Sequence, residues 1–280
     1  MRLFISLIFL FTTHSVLAQE KLQIIVSILP QKFFVEQITN DEADVYVMVT
    51  AGDSPATYEP KPSQMALISR ADFYFSIGVP FEQAWMERIR KLNPDMKIVQ
   101  TGIETDHEPT HHHSHDHADD PHIWTNPENV KEISQKIVDA LITSRPNRTD
   151  TYRKRLKEFN TKLTKLDEFI KSKTASLSKR TLIVTHPSWD FYANRYGLKQ
   201  VSIEQKGKTI KAASLKNMIE YANTNDIRAI FGQPQFSNKS ADILASEINA
   251  KIYILDPLAY DYINKMREMT NIIVGALTSE

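Results

Sequence analysis

The chain has 280 residues, and its 34 Lys and Arg are balanced by 34 Asp and Glu. That neutral formal charge argues against nucleic acid or an anionic membrane surface as the main partner. There is no cysteine, which excludes a disulfide framework and a thiolate metal site and argues against lipid attachment at an N-terminal Cys.

Met1-Arg2, the apolar run Leu3–Phe11 and Val16-Leu17-Ala18 read as the n-region, h-region and small-residue cleavage site of a secretory signal peptide over residues 1–18. The nine-residue apolar run is too short to cross a bilayer, which takes about 20 residues. Cleavage after Ala18 is expected, giving a soluble protein of a Gram-negative periplasm with no direct membrane insertion.

Short β-rich runs then alternate with helical patterns. Strands are expected at Leu22–Leu29, Ala43–Val49, Asp72–Ile77 and Lys97–Gln100, and helices at Gln31–Ile38, Ser63–Ser69 and Phe81–Lys91. A βα series of this kind predicts a mainly parallel sheet.

The stretch from His107 to His122 interrupts the series and holds seven of the nine histidines, interleaved with Glu108, Asp116, Asp119 and Asp120. No packed core needs such a run. Neutral imidazole and carboxylate are ligands of borderline transition metals, so the composition points to metal capture, zinc above all, by a solvated loop over 106–121.

Asn126 is placed to cap a helix with Pro127 at its first position. Next comes a long helical pattern at about Arg148–Ser176, with Tyr152, Leu156, Phe159, Leu163, Leu166 and Ile170 near 3.6 spacing. At 1.5 Å per residue it would reach roughly 40 Å, enough to run the length of a domain. A second βα series follows, with strands at Thr181–Thr185, Gln200–Ile203, Ala229–Phe231 and Lys251–Leu255. Its helices are expected at Trp189–Tyr196, Ala213–Thr224, Ser237–Asn249 and Tyr260–Leu277.

The expected fold is therefore α/β. Two βα lobes with mainly parallel sheets, at residues 19–146 and 178–280, are joined by one long helix over 147–177. Ligands of such sheets sit in the crevice beyond the strand C-termini. His186 and Asp256 each follow a predicted strand, and His122 lies just before the capped helix. A His₂-carboxylate set suits zinc. Glu204 and Asp190 are candidates to hold the outer nitrogens of these imidazoles. Trp124, Trp189, Phe191 and Tyr192 read mainly as core, and Gln233-Pro-Gln-Phe236 as cleft floor.

The chain resembles the metal-binding solute-binding proteins of zinc and manganese ABC transporters, the ZnuA-like group (cluster A-I). The resemblance rests on Ser54-Pro-Ala-Thr-Tyr-Glu-Pro60, Ala71-Asp-Phe, the acidic His-rich insertion and Asp120-Pro-His-Ile-Trp-Thr-Asn-Pro127. It continues through Thr185-His-Pro-Ser-Trp, Tyr192-Ala-Asn-Arg-Tyr-Gly-Leu198, Pro234-Gln-Phe and Leu255-Asp-Pro-Leu258. It implies two α/β lobes on a rigid helix, one divalent ion between them, and delivery of that ion to a membrane permease with its ATPase. It matches His122, His186 and Asp256 to family metal ligands. Where the family has a further histidine, this chain has Ala56, which offers no donor atom. The open position is assigned to water or to a loop histidine among His107, His111, His112, His113, His115 and His117. Glu59 could reach it but is read, with Glu204, as an outer support that holds its own segment near Tyr58 and Pro60, and loss of high-affinity binding is the remaining alternative. His186 stands where manganese members carry a carboxylate, which favours Zn²⁺ over Mn²⁺ as the cargo.

The resulting expectation is a monomeric, non-enzymatic periplasmic zinc-binding component of an ABC importer. A periplasmic zinc buffer or chaperone and a manganese-binding relative are the alternatives. A zinc hydrolase lacks support, because there is no His-Glu-x-x-His and no general base beside the expected ligands.

Overall fold

The computed structural model describes residues 20–102, 120–204, 212–237 and 239–278. The expected signal peptide and most of the His-rich run lie outside the described residues.

The first lobe contains β1 (Leu22–Val26), α1 (Leu29–Thr39), β2 (Ala43–Val47), α2 (Pro62–Ile68), β3 (Phe73–Ser76), α3 (Pro80–Leu92) and β4 (Lys97–Gln100). Its four strands are all parallel, in the order β2-β1-β3-β4. A 3-10 turn (Ile123–Thr125), α4 (Pro127–Ser144), a second 3-10 turn (Pro146–Arg148) and α5 (Thr149–Thr174) lead to the second lobe. That lobe contains β5 (Thr181–Val184), α6 (Asp190–Arg195), β6 (Lys199–Ser202), α7 (Ala212–Thr224), β7 (Ala229–Gly232), α8 (Lys239–Glu247), β8 (Lys251–Ile254) and α9 (Tyr262–Thr278). Its sheet is also parallel and winds in the same way, β6-β5-β7-β8. The expected α/β architecture of two parallel sheets with a long helix between them is thus what the chain forms.

The central strands are apolar because helices cover both of their faces. Ile24, Phe73, Phe75, Leu182, Val184 and Ile230 are all buried. In each lobe the chain first winds to one side of a central strand and then to the other. The strand order therefore switches between β1 and β3 and between β5 and β7, and crevices for ligands open at such points.

Helix α5 has 26 residues, a length of about 39 Å, with the predicted stripe from Tyr152 to Ile170 buried along one face. Phe159 packs at a ring-centroid distance of 6.0 Å from both Phe33 and Phe34 of α1. Tyr262, at the start of α9, meets Phe34 edge-on at 5.0 Å. One continuous core consequently runs from the first sheet through α4, α5 and α9 to the second. A separate cluster including Ile183, Ile230 and Leu244 packs under α7 and α8. Charge reinforces the helix at both ends. Arg148 and Arg155 grip Glu42 of the first lobe, and Asp167 accepts both arms of the Arg195 guanidinium at 3.0 Å.

Element ends depart from the sequence reading where side chains intervene. β1 stops at Val26 rather than Leu29, because Pro30 initiates α1 and the Gln31 side chain accepts the Ser27 and Ile28 N–H groups at 3.0 and 3.3 Å. α9 begins at Tyr262 rather than Tyr260, since the preceding segment turns back onto the first lobe. Among the described residues, no helix is long and apolar enough to cross a membrane.

Candidate metal centre

His122 lies between the two lobes, immediately before the 3-10 turn that precedes α4. The Asn126 side chain accepts the Glu128 N–H at 3.0 Å and Pro127 starts the helix. Asp120 fixes the histidine from the other side. Its Oδ1 accepts the His122 backbone N–H at 3.0 Å and lies 2.6 Å from His122 Nδ1. A carboxylate can only accept, so in the neutral ring Nδ1 carries the proton and Nε2 keeps its lone pair.

His186 follows β5 at the switch point of the second sheet. Its Nδ1 lies 2.8 Å from Glu204 Oε2, which assigns it the same tautomer by the same reasoning. Phe236 stacks on the ring at 4.1 Å between centroids, and Gln233 donates to the His186 carbonyl at 3.2 Å. Burial pushes the imidazole below the ordinary histidine pKa and the nearby His122 adds to this, while Glu204 and Asp120 pull it back up. The outcome favours neutral imidazole, the form that ligates metals.

The two rings stand 5.6 Å apart between centroids and nearly perpendicular, at 79°. Two imidazoles on one tetrahedral zinc place their centroids about 5 Å apart, since the metal–nitrogen bond is about 2 Å and the ring adds about 1 Å. The observed centroid separation is close to that value. Both rings are oriented by a carboxylate on Nδ1, the usual support of a metal-bound histidine.

Asp256 follows β8. Its Oδ1 accepts from Gln235 Nε2 at 2.7 Å and from the Leu258 N–H at 3.0 Å. Among the described residues, no group of three or more His, Cys, Asp or Glu able to hold a metal ion is formed. The structure thus brings His122 and His186 together and leaves Asp256 held by Gln235. The loop Gln233–Phe236 connects the two, since Gln233 and Phe236 touch His186 and Gln235 holds Asp256. Glu59 and Ala56 are exposed on the segment before α2. His107, His111, His112, His113, His115 and His117 lie outside the described residues.

Sequence reasoning passed over Asp120 as the orienting partner of His122, and passed over Ser188. Ser188 is fully buried and its Oγ lies 3.1 Å from His122 Nε2. The available signal for Asp120 was its place two residues before a histidine across a proline, where a side chain folds back on the local backbone. Of the flanking aromatics, Trp124, Trp189 and Tyr192 are core residues.

A second concavity, of about 240 Å³, opens at the opposite ends of β5 and β7 beside Lys179, Arg180 and Arg228. Its cations are engaged. Arg180 donates to the Ala175 and Gly197 carbonyls, and Lys179 and Arg228 both pair with Asp226. It lies away from the strand C-termini where the histidines converge.

The family model described as "Zinc-uptake complex component A periplasmic" matches residues 24–276. The high-affinity zinc uptake system protein ZnuA of Bacillus subtilis is 30% identical over 253 residues, covering 85% of this chain and 79% of that protein. The zinc-binding lipoprotein AdcA of Streptococcus pneumoniae is 28% identical over 86% of this chain, which spans only 51% of AdcA. A crystal structure of ZnuA superposes with a TM-score of 0.86 at 36% identity, covering 92% of this chain and all of that one. A zinc-bound deletion variant of ZnuA gives the same score and identity over 93% of this chain.

Proposed function

This chain belongs to the family of the periplasmic zinc-uptake component A, and from that premise we propose that it captures Zn²⁺ outside the inner membrane and delivers it to an ABC-type importer. The observation that carries the reading is the His122–His186 pair, with both Nδ1 atoms held by carboxylates and the ring centroids close to the separation of two imidazoles on one zinc. Asp256 supplies a third, oxygen donor once Gln235 yields it. A water, Glu59 or a histidine of the His-rich run completes the site in place of Ala56. Imidazole-rich coordination selects zinc over manganese, which favours oxygen donors.

The protein acts as a carrier and not as an enzyme, as a monomer exported by the signal peptide over residues 1–18. Its partners are a membrane permease and the associated ATPase. The lobes are residues 19–146 and 178–280, with the helical segment 147–177 as a stiff spine between them. The common core along α5 opposes wide hinge motion, so uptake and release proceed through local changes at the cleft. The His-rich segment, which precedes His122 in the sequence, collects zinc at weaker sites and feeds the cleft.

A growth experiment tests the transport role. Deleting the gene in its native host is expected to abolish growth in zinc-depleting chelator. Zinc or the wild-type gene should restore growth, and a His122→Ala, His186→Ala gene should not. Unimpaired growth of the deletion strain would point to a zinc buffer with no importer role.

A further inference from the structure

Ser188 stands at the point where a metal would have to approach. Its Oγ lies 3.1 Å from Nε2 of His122 and 3.5 Å from Oε1 of Gln233. Ser188 and Gln233 are both buried, at 0% and 2% exposure. Asp120 holds the His122 proton on Nδ1, so Nε2 is an acceptor and the serine is the donor in this contact. Gln233 is anchored through Nε2 on the His186 carbonyl, which leaves its Oε1 turned to the serine as an alternative acceptor.

We propose that Ser188 sets the affinity and release rate of the site, because its hydroxyl proton and the metal ion compete for one lone pair, that of His122 Nε2. A buried hydroxyl needs an acceptor at all times. When zinc takes Nε2, rotation about the Cβ–Oγ bond carries the proton to Gln233 Oε1. When zinc leaves, the hydroxyl swings back and caps the imidazole. No bond other than hydrogen bonds and metal–ligand bonds changes, and no proton leaves the serine. A carrier must release its cargo as well as bind it, and a donor waiting beside the ligand lowers the cost of letting go. The inference rests on His122 being a ligand of the transported metal.

The test is zinc binding and chelator-driven release by Ser188→Ala and Ser188→Thr beside the wild type. Removing the competing hydrogen bond is expected to tighten binding about two- to tenfold and to slow release by a similar factor. Threonine, which restores the hydroxyl, should return both quantities towards wild type. In chelator, the ¹⁵N resonance of His122 Nε2 should shift in Ser188→Ala and not in Ser188→Thr. Alanine binding that is unchanged or weaker would overturn the proposal and mark Ser188 as packing or as a direct ligand. Failure of the underlying reading looks different: His122→Ala would then leave tight binding intact.

Discussion

Trp124 donates its indole N–H to the Pro257 carbonyl at 2.8 Å, across 133 positions of chain. Tyr262 returns the link by donating to the Trp124 carbonyl, also at 2.8 Å. The turn that carries His122 is therefore pinned to the turn that carries Asp256, and two candidate ligands from different lobes share one buried frame. Tyr260 adds an outer contact by donating to Glu36 of α1.

Trp124→Phe keeps an aromatic ring but removes the donor and part of the buried indole, leaving the buried Pro257 carbonyl without this partner. A loss of about 2–4 kcal/mol of stability is expected from the hydrogen bond and the cavity together, along with weaker zinc binding, because Asp256 is no longer held in register with His122. Urea unfolding and zinc titration of the same variant check both. Full affinity at reduced stability would show that the two turns find their places independently.

Glu204→Gln and Asp120→Asn replace the carboxylates that orient His186 and His122. Each is expected to weaken zinc binding about 10- to 100-fold, as loss of such supports does elsewhere. The fold should be unaffected, since neither residue belongs to the apolar core. Competition against a chromophoric chelator measures the change. Wild-type affinity in both variants would remove the argument that the pair is built for metal.

Asp256→Asn should weaken binding less than loss of either histidine, because the carboxylate must first leave the Gln235 amide. Cobalt substituted for zinc reports the donor set directly, and its visible bands are expected to change in Asp256→Asn. Identical cobalt spectra would place Asp256 outside the coordination sphere.

Asp167 makes a pH prediction for the spine. Burial alone would raise its carboxyl, but the Arg195 fork, Lys171 and the Tyr196 hydroxyl outweigh it and hold the pKa below the ordinary 3.8. A depressed folded pKa means the unfolded chain takes up the proton first. The stabilisation is thus complete above about pH 5 and is lost as pH falls below about 4, through the folded value. Asp167→Asn should cost about 2 kcal/mol at neutral pH and show a flatter acid limb in thermal unfolding. An acid limb as steep as that of the wild type would assign the acid sensitivity to other carboxylates.

Much of this was legible in the sequence because it rests on local patterns. The alternation of apolar runs with 3.6-spaced stripes gave both parallel sheets, and Asn126-Pro127 marked the start of α4. The stripe from Tyr152 to Ile170 gave the spine. His122 and His186 stood out as histidines at a capped turn and at a strand end. What stayed hidden depends on contacts between distant segments. Nothing near Pro257 announces that its carbonyl receives Trp124, and no periodicity places Ser188 on the His122 ring. Asp256 looked equivalent to the two histidines because all three sit beyond strands or turns, yet its engagement with Gln235 is a tertiary fact. Strand β1 read too long because Val26 and Leu29 are equally apolar, while Pro30 and the side chain of Gln31 end it.

The central claim is that the cleft pair is the tight zinc site. Calorimetric zinc titration of the exported protein beside the His122→Ala, His186→Ala variant tests it most directly. One tight event in the wild type, absent from the variant while weaker binding by the His-rich segment survives, is the predicted result. A tight event that persists in the variant would contradict the account and move the principal site to the His-rich segment.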